Sequence, residues 1–236
     1  MLIGVPKEIK NHEYRVGLTP ASVRELVAHG NAVLVQAQAG AGIGMDDAVY
    51  AATGATITAT ADEVFGRADM IVKVKEPQAI ERKLLRPGQV LFTYLHLAPD
   101  PEQTHDLLQS GATCIAYETV TSVSGGLPLL APMSEVAGRM AVQAGATALE
   151  KSRGGRGVLL GGVPGVEPAR IVILGGGVVG ANAALTAVGS GADVVVIDRS
   201  LDALRRLIVQ FGTRIKTVFS TTEAIEQHVI GADLVI

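Results

Sequence analysis

Short apolar runs recur along the whole chain and are separated by longer stretches of mixed polarity. Continuous apolar runs bounded by Gly, Pro or charged residues are typical of strands buried on both faces. The pattern predicts strands at residues 2–5, 32–35, 70–74, 90–94, 113–117, 171–174, 193–197 and 232–236. Capping residues and terminal glycines predict helices between them, at about residues 20–29, 46–54, 134–151 and 178–189.

The alternation of strands and helices predicts an α/β fold. In such folds a mostly parallel sheet is covered by helices on both faces. A Gly- and Pro-rich stretch at residues 153–167 interrupts the alternation, and a new strand begins at residue 171. We therefore divide the chain near Leu130, into an α/β domain at residues 1–130 and a second α/β domain at residues 131–236 that begins with a connecting helix.

The segment Gly175–Gly180 reads GGGVVG, which satisfies the G-x-G-x-x-G pattern of dinucleotide-binding proteins. It follows an apolar strand and opens a helix, and the next strand ends at Asp198 about 20 residues on, as the motif requires. We expect a tight turn at Gly175, close approach of a pyrophosphate at Gly177 and Val178, and close helix packing at Gly180. The alternative is a glycine-rich turn in an α/β protein that binds no nucleotide.

Asp198 also indicates which dinucleotide is bound. Its carboxylate can accept both ribose hydroxyls, whereas its charge would repel a 2′-phosphate, so the motif favours NAD over NADP. Arg199 follows directly and would favour the phosphate, which weakens that preference.

Four polar residues of the first half lie where predicted strands end or in the loops that follow them: Arg15, Lys75, His96 and Glu118. Ligands of parallel sheets bind beyond the carboxyl ends of the strands, so these residues are drawn towards one edge. Arg15 is a candidate fork for a substrate carboxylate, Lys75 a donor, and His96 a general acid or base. Glu118 is a substrate-binding candidate that could instead orient a catalytic partner or pair with a lysine. For each of the four, a plain surface or packing role is the alternative.

Composition narrows the class of protein. Hydrophobic residues make up 48% of the 236 residues and charged residues 18%, so a packed core is expected rather than disorder. The net charge of -3 and the absence of basic runs give no indication of a nucleic-acid surface. With one cysteine, Cys114, and charged residues near the N-terminus, we expect a cytoplasmic protein without disulfides or a bound metal. Residues 171–197 are apolar enough to suggest a membrane span, but their glycines fit strand–turn–helix–strand better.

Several longer stretches resemble one enzyme family over the whole of residues 1–236. They are GVPKEIKNHEYRVGLTP (4–20), VKVKEP (72–77), LFTYLHLA (91–98), IAYETV (115–120), PLLAPMSEVAGR (128–139) and GGRGVLLGGVPGVEPARIVILGGGVVG (154–180). These segments resemble sequences of the alanine dehydrogenase family, which includes the NAD-binding subunit of proton-pumping transhydrogenase. The stretch GVLLGGVPGVEP is more similar to alanine dehydrogenases than to transhydrogenases.

The resemblance implies a substrate domain beside a Rossmann domain and a homohexameric assembly. It implies that Arg15 holds the substrate carboxylate, that Lys75 contacts substrate and that His96 is catalytic, while Ser134, Asp198 and Ser220 contact the cofactor. The implied reaction is reversible: L-alanine, NAD and water give pyruvate, ammonium and NADH. The alternatives are the NAD(H)-binding part of a transhydrogenase and a non-catalytic NAD-binding fragment.

Two departures from the family bear on these expectations. Ala203 stands where the family usually has a basic residue, so one cofactor contact is expected to be missing or to be supplied by Arg199 or Arg205. The family also continues well past the strand at residues 232–236, into a segment with a second catalytic aspartate. We therefore expect the 236-residue chain alone not to oxidise alanine.

Overall fold

The computed structural model describes residues 1–123 and 125–236. The chain divides into two compact units, Met1–Leu129 and Leu130–Ile236, each with its own parallel sheet. The predicted α/β class is confirmed in both units. The segment at residues 171–197, which had suggested a membrane span, forms a strand, a helix and a second strand. Among the described residues, no helix combines the length and apolar character needed to cross a membrane.

The N-terminal unit is a six-stranded parallel sheet with five helices along the described chain. Its strands are β1 (Leu2–Val5), β2 (Ala32–Gln36), β3 (Thr56–Thr58), β4 (Met70–Val72), β5 (Val90–Thr93) and β6 (Thr113–Ala116). Its helices are α1 (Pro20–Ala28), α2 (Asp47–Ala52), α3 (Ala61–Arg67), α4 (Ala79–Arg82) and α5 (Pro101–Ser110). The strand order is β3-β2-β1-β4-β5-β6, so the direction of the winding reverses between β1 and β4.

The predicted helix starts are explained by capping. Thr19 accepts a hydrogen bond from the Ser22 amide at 3.3 Å, and Pro20 occupies the first turn of α1. Asp46, one of the two cap candidates, accepts from the Val49 amide at 2.9 Å and opens α2. In both cases the side-chain oxygen satisfies an amide that has no partner within the helix.

Three strands end earlier than the apolar runs predict. The strand predicted at residues 70–74 ends at Val72, because the Val74 amide donates to Glu8 at 2.7 Å rather than to a neighbouring strand. The strands predicted to reach Tyr94 and Tyr117 end one residue earlier, and Tyr117 begins a 3₁₀ turn. The apolar runs of the sequence thus extend one or two residues beyond the point where strand pairing ends.

The C-terminal unit contains a four-stranded parallel sheet in the order β10-β7-β8-β9. Its strands are β7 (Arg170–Leu174), β8 (Asp193–Asp198), β9 (Ile215–Phe219) and β10 (Leu234–Val235). Its helices are α6 (Ala131–Ala148), α7 (Val178–Gly189), α8 (Leu201–Phe211) and α9 (Thr222–Ile230). Helix α6 begins three residues before the predicted Ser134 and ends before Lys151, which opens a separate 3₁₀ turn.

Each sheet buries apolar side chains on both faces because neighbouring strand residues point in opposite directions. In the N-terminal unit, Ile3 and Val72 face one cluster with Tyr50, whereas Ile71 packs in a second cluster with Phe65. In the C-terminal unit, β7 and β8 likewise contribute alternate residues to two clusters. This two-sided burial explains why the strands read as continuous apolar runs rather than as an alternation.

A buried ion cluster lies where the winding of the N-terminal sheet reverses. The Lys73 ammonium donates to Glu81 at 2.7 Å and to Glu8 at 3.2 Å, and the exposed fractions of the three side chains are 0%, 3% and 2%. Burial raises the pKa of Glu8, and the neighbouring Lys73 opposes that rise. The cluster joins the loop after β1, the end of β4 and helix α4.

We predict that Lys73→Met lowers the free energy of unfolding by about 3–5 kcal/mol, because it leaves two buried carboxylates without their cation. Urea unfolding measures the change. Lys83→Met is the matched control: Lys83 is exposed at the end of α4, and its replacement should change stability by less than about 0.5 kcal/mol. A loss below about 1 kcal/mol for Lys73→Met would contradict a cluster that depends on its ammonium.

Candidate functional site

The four candidate residues of the N-terminal unit follow four neighbouring strands. Arg15 lies in the loop after β1, Lys75 after β4, His96 after β5 and Glu118 after β6. All pairings among these strands are parallel, so the four residues share the carboxyl edge of the sheet. Arg15 and Lys75 follow the two strands between which the winding reverses. In doubly wound sheets this position is the crevice where ligands bind.

The Arg15 guanidinium is held by one carboxylate in its own loop. Its Nε donates to Glu13 Oε1 at 2.8 Å and its Nη2 to Glu13 Oε2 at 2.6 Å. Arg15 keeps 48% of its side chain exposed, whereas Glu13 keeps 7%. The hydrogen bond from Arg15 lowers the pKa of Glu13. The charge of the Lys75 ammonium lowers the pKa of the same carboxylate further.

Lys75 is partly buried, and the backbone on either side of it is anchored. Its carbonyl oxygen accepts from Thr93 Oγ1 at 2.8 Å, and the preceding amide, that of Val74, donates to Glu8. Within residues 1–123 and 125–236, its ammonium takes part in no hydrogen bond or ion pair. At this edge of the sheet, the main chain of Lys75 is therefore fixed, while its ammonium has no partner among the described residues.

His96 is exposed and adopts a left-handed backbone conformation, with φ at 50°. The Glu118 carboxylate accepts from the His96 amide at 2.7 Å and from the Leu95 amide at 3.1 Å. Gln103, fully buried on α5, donates to the Leu95 carbonyl at 2.6 Å. These bonds offset the cost of the unusual φ. Of the three roles considered for Glu118, the contacts support orientation of a partner, here the main chain of His96.

Tyr94 is a member of this edge that the sequence analysis did not select. Its ring stacks on His96 at 6.2 Å and meets Tyr117 edge-on at 4.9 Å, and its hydroxyl donates to the Leu129 carbonyl. Burial raises the pKa of Tyr94, and the nearby Arg15 opposes the rise. A tyrosine two residues before a candidate histidine, at a strand end, was the available signal.

The glycine-rich segment of the C-terminal unit forms the turn between β7 and α7. Gly175 has φ at 110°, which favours glycine, and a Cβ built on Gly180 would lie 1.8 Å from the Gly175 carbonyl oxygen. A Cβ on Gly177 would meet nothing within 4 Å. Helix α7 begins at Val178, so its unpaired first amides and positive dipole end face this open space. The segment has the shape and charge to receive a phosphate.

Asp198, at the end of β8, organises the same turn. Its Oδ2 accepts from the Gly176 amide at 2.5 Å and its Oδ1 from the Ser200 amide at 2.6 Å. These bonds lower the pKa of Asp198, because they stabilise its ionised carboxylate. The Ser220 amide donates to the Asp198 carbonyl at 3.0 Å, which places Ser220 at the same edge. Ser134 lies one turn into α6 and is partly buried.

Ala203, the departure from the family pattern, faces the interior. It is 4% exposed, and its methyl group lies near Gly176. Arg205 pairs with Asp202 at 2.9 Å, whereas Arg199 is exposed directly after Asp198. Arg199 and Arg205 were the two candidates to supply the cofactor contact missing at Ala203, and the position of Arg199 beside Asp198 favours Arg199.

Comparisons with known proteins cover both units. The family models described as "Alanine dehydrogenase/PNT, N-terminal domain" and "Alanine dehydrogenase/PNT, C-terminal domain" match residues 4–137 and 141–236. The chain is 59% identical over 236 residues to the alanine dehydrogenase of Halomonas elongata and 54% identical to that of Mycobacterium tuberculosis. Each alignment covers 100% of this chain and 64% of the relative. The chain thus spans less than two thirds of these proteins.

Two solved structures extend the comparison. An L-alanine dehydrogenase superposes with a TM-score of 0.94 at 52% identity, over 100% of this chain and 65% of that one. A transhydrogenase from Sinorhizobium meliloti superposes with a TM-score of 0.83 at 27% identity, over 100% of this chain and 68% of that one.

We predict that replacement by alanine has a large effect at one glycine of the Gly175–Gly180 turn and a small effect at another. Gly180→Ala should lower the free energy of unfolding by about 1–3 kcal/mol or more, because the new methyl group has no room against Gly175. Gly177→Ala should lower it by less than about 1 kcal/mol, because the position has room for a methyl group and the cost is only that alanine caps a helix less well than glycine. Urea unfolding of both variants is the measurement, and equal losses would contradict the packing described.

Proposed function

Because the chain belongs to the alanine dehydrogenase/PNT family, we propose that it carries the substrate-binding and NAD-binding residues of an alanine dehydrogenase. The reaction is the reversible, NAD-dependent oxidative deamination of L-alanine to pyruvate and ammonium. One observation carries the proposal: Arg15 and Lys75 follow the two strands at the switch point, and His96 follows the next strand of the sheet. Two cations beside an acid–base group suit a small amino acid with one carboxylate.

The C-terminal unit binds the NAD. The open space at Gly177, the first amides of α7 at Val178 and the tight packing of Gly180 suit a pyrophosphate. Asp198 holds the adenosine ribose through its hydroxyls, and its charge disfavours the 2′-phosphate of NADP. Ser134 and Ser220 are further cofactor contacts.

Three side chains of the N-terminal unit divide the work on the substrate. Bound NAD would supply the acceptor for the hydride that leaves Cα of alanine. Arg15 holds the carboxylate through two parallel hydrogen bonds. His96 takes a proton from the substrate ammonium group and releases it to solvent. After hydride loss it takes a second proton from the water that attacks the iminium carbon, and it gives that proton to the nitrogen. Ammonia then leaves and takes the hydroxyl proton as the carbonyl forms, which gives pyruvate and ammonium. Lys75 stabilises the negative charge that grows on the substrate oxygen.

Two further residues position this machinery. Glu118 holds the amides of Leu95 and His96, and so fixes the direction in which the imidazole leaves the main chain. The Tyr94 ring stacks on that imidazole, with the two ring centres 6.2 Å apart. We assign Glu118 to positioning, because its oxygens accept from the main-chain amides of the residue that carries the imidazole and of the residue before it.

A second candidate function is the NAD(H)-binding part of a transhydrogenase, which the likeness to the Sinorhizobium meliloti structure supports. A transfer between two dinucleotides needs no carboxylate fork, so Arg15, Lys75 and His96 favour the amino-acid dehydrogenase. We further propose a cytoplasmic homohexamer, with L-alanine, pyruvate and ammonium as its small-molecule partners.

The test follows NADH absorbance with L-alanine and NAD at alkaline pH. It uses the 236-residue chain alone and the chain joined to the C-terminal third of the Halomonas elongata relative. Turnover of about 1–10³ per second by the joined form, dependent on alanine, supports the proposal. Absence of alanine-dependent NADH, together with hydride transfer between NADH and an NADP analogue, would favour the transhydrogenase.

We predict that Asp198→Asn weakens NADH binding about 10- to 100-fold, the worth of hydrogen bonds to a charged group. NADPH should lose less, because the repulsion of its phosphate is also removed. Calorimetry with both nucleotides measures the gap between them. Asp202→Asn is the control, since Asp202 is exposed and pairs only with Arg205 among the described side chains. Equal affinities of the unmodified chain for NADH and NADPH would contradict the assignment.

We predict that His96→Ala lowers kcat of the joined form by about 10²–10⁴, the usual contribution of a positioned acid–base group. Binding of pyruvate should change much less, because Arg15 and Lys75 remain. His105→Ala is the control, since His105 is exposed on α5 and bonded to Gln109. A fall in kcat of less than about threefold would remove His96 from the acid–base role.

A further inference from the structure

Glu13 is an enclosed carboxylate in the loop after β1. Its Oε1 accepts from both the amide and Nε of Arg15, at 2.9 and 2.8 Å, and its Oε2 accepts from Nη2 at 2.6 Å. Only 7% of its side chain is exposed, so the carboxylate is fixed in place rather than moving in solvent. A surface ion pair between residues two apart needs none of this enclosure.

The pairing leaves one side of the guanidinium available. Glu13 takes the edge formed by Nε and Nη2, and among the described residues no hydrogen bond reaches Nη1 of Arg15. The planar guanidinium has a second two-nitrogen edge, formed by Nη1 and Nη2, that matches a carboxylate. Glu13 therefore presents that edge to a ligand and prevents the first edge from binding another anion.

Glu13 also sets the charge that a ligand meets. Arg15 and Lys75 supply two cations at the switch point, and Glu13 cancels one of them. The charge of Glu118 is already directed at the amides of Leu95 and His96. The net charge that remains is that of one cation, which one carboxylate neutralises. A second carboxylate on the ligand would meet no further net positive charge.

We propose that Glu13 is a specificity-determining residue that makes this site select amino acids and 2-oxo acids with one carboxylate over those with two. The inference rests on the proposed function, since it concerns the substrate of that site. It gives Glu13 a role beyond holding Arg15, because a residue that only held Arg15 would affect all carboxylate ligands equally.

L-Aspartate and L-asparagine separate charge from size, because they have nearly the same shape and differ by one negative charge. The measurement is the inhibition constant of each against L-alanine, in the joined form of the enzyme. Glu13→Gln should strengthen the binding of aspartate relative to that of asparagine about tenfold or more, because it removes one nearby negative charge from a partly enclosed site. Glu13→Asp keeps the charge and should leave this ratio within about threefold.

Glu25→Gln is the matched control, because it removes the same charge from an exposed position on α1. The proposal is supported if Glu13→Gln, and not Glu25→Gln, strengthens the binding of aspartate relative to asparagine by threefold or more. A smaller change, or an equal change in Glu25→Gln, overturns it, even if Glu13→Gln also weakens alanine.

If no form oxidises alanine, the proposed function fails, and the charge effect of Glu13 is measured by binding. Succinate and its monoamide, succinamate, are titrated into the 236-residue chain while the NMR signal of the Arg15 Nε–H group is followed. Stronger binding of succinate relative to succinamate in Glu13→Gln, by threefold or more, supports the role of Glu13. A ratio within threefold of that of the unmodified chain overturns it.

Discussion

The Lys73 ammonium, buried between Glu8 and Glu81, joins the three segments on which the N-terminal site depends. Glu8 follows β1, Lys73 follows β4 and Glu81 lies on α4, so one charge connects both sides of the switch point. A buried ion cluster of this kind adds little stability by itself, but removing one member is costly. Because the other Glu8 oxygen binds the Val74 amide, the position of Lys75 depends on the same cluster.

Carboxylates bound to main-chain amides recur in both units and have one physical effect. Glu118 holds the amides of Leu95 and His96, and Asp198 holds those of Gly176 and Ser200. An ionised acceptor forms stronger hydrogen bonds than a neutral one, so it can hold strained or irregular backbone. In both candidate sites, the backbone becomes irregular where a strand ends. In each site a carboxylate at or just after the end of a neighbouring strand holds that backbone in place.

Much of the fold followed from local pattern. Continuous apolar runs identified most of the strands, and Thr19, Asp46 and the Gly175–Gly180 motif identified helix starts, because burial and capping act over a few residues. Two strands and five helices were not predicted: β3, β9, α3, α4, α5, α8 and α9. For β3 and α4 the reason is length, since a strand of three residues and a helix of four carry almost no periodic signal. Tyr94 was also missed, because its contact with His96 depends on the turn after β5.

The sequence by itself determined the α/β class, the strand ends that carry Arg15, Lys75 and His96, and the glycine turn with its acidic partner Asp198. Those features depend on neighbouring residues and on the rule that parallel strands share one carboxyl edge. The tertiary structure alone decided that Glu13 occupies one edge of Arg15, that Glu118 serves the main chain and that Lys73 is buried with two carboxylates. These are contacts between side chains and backbone whose geometry depends on how each loop and helix packs, and residue types alone do not specify it.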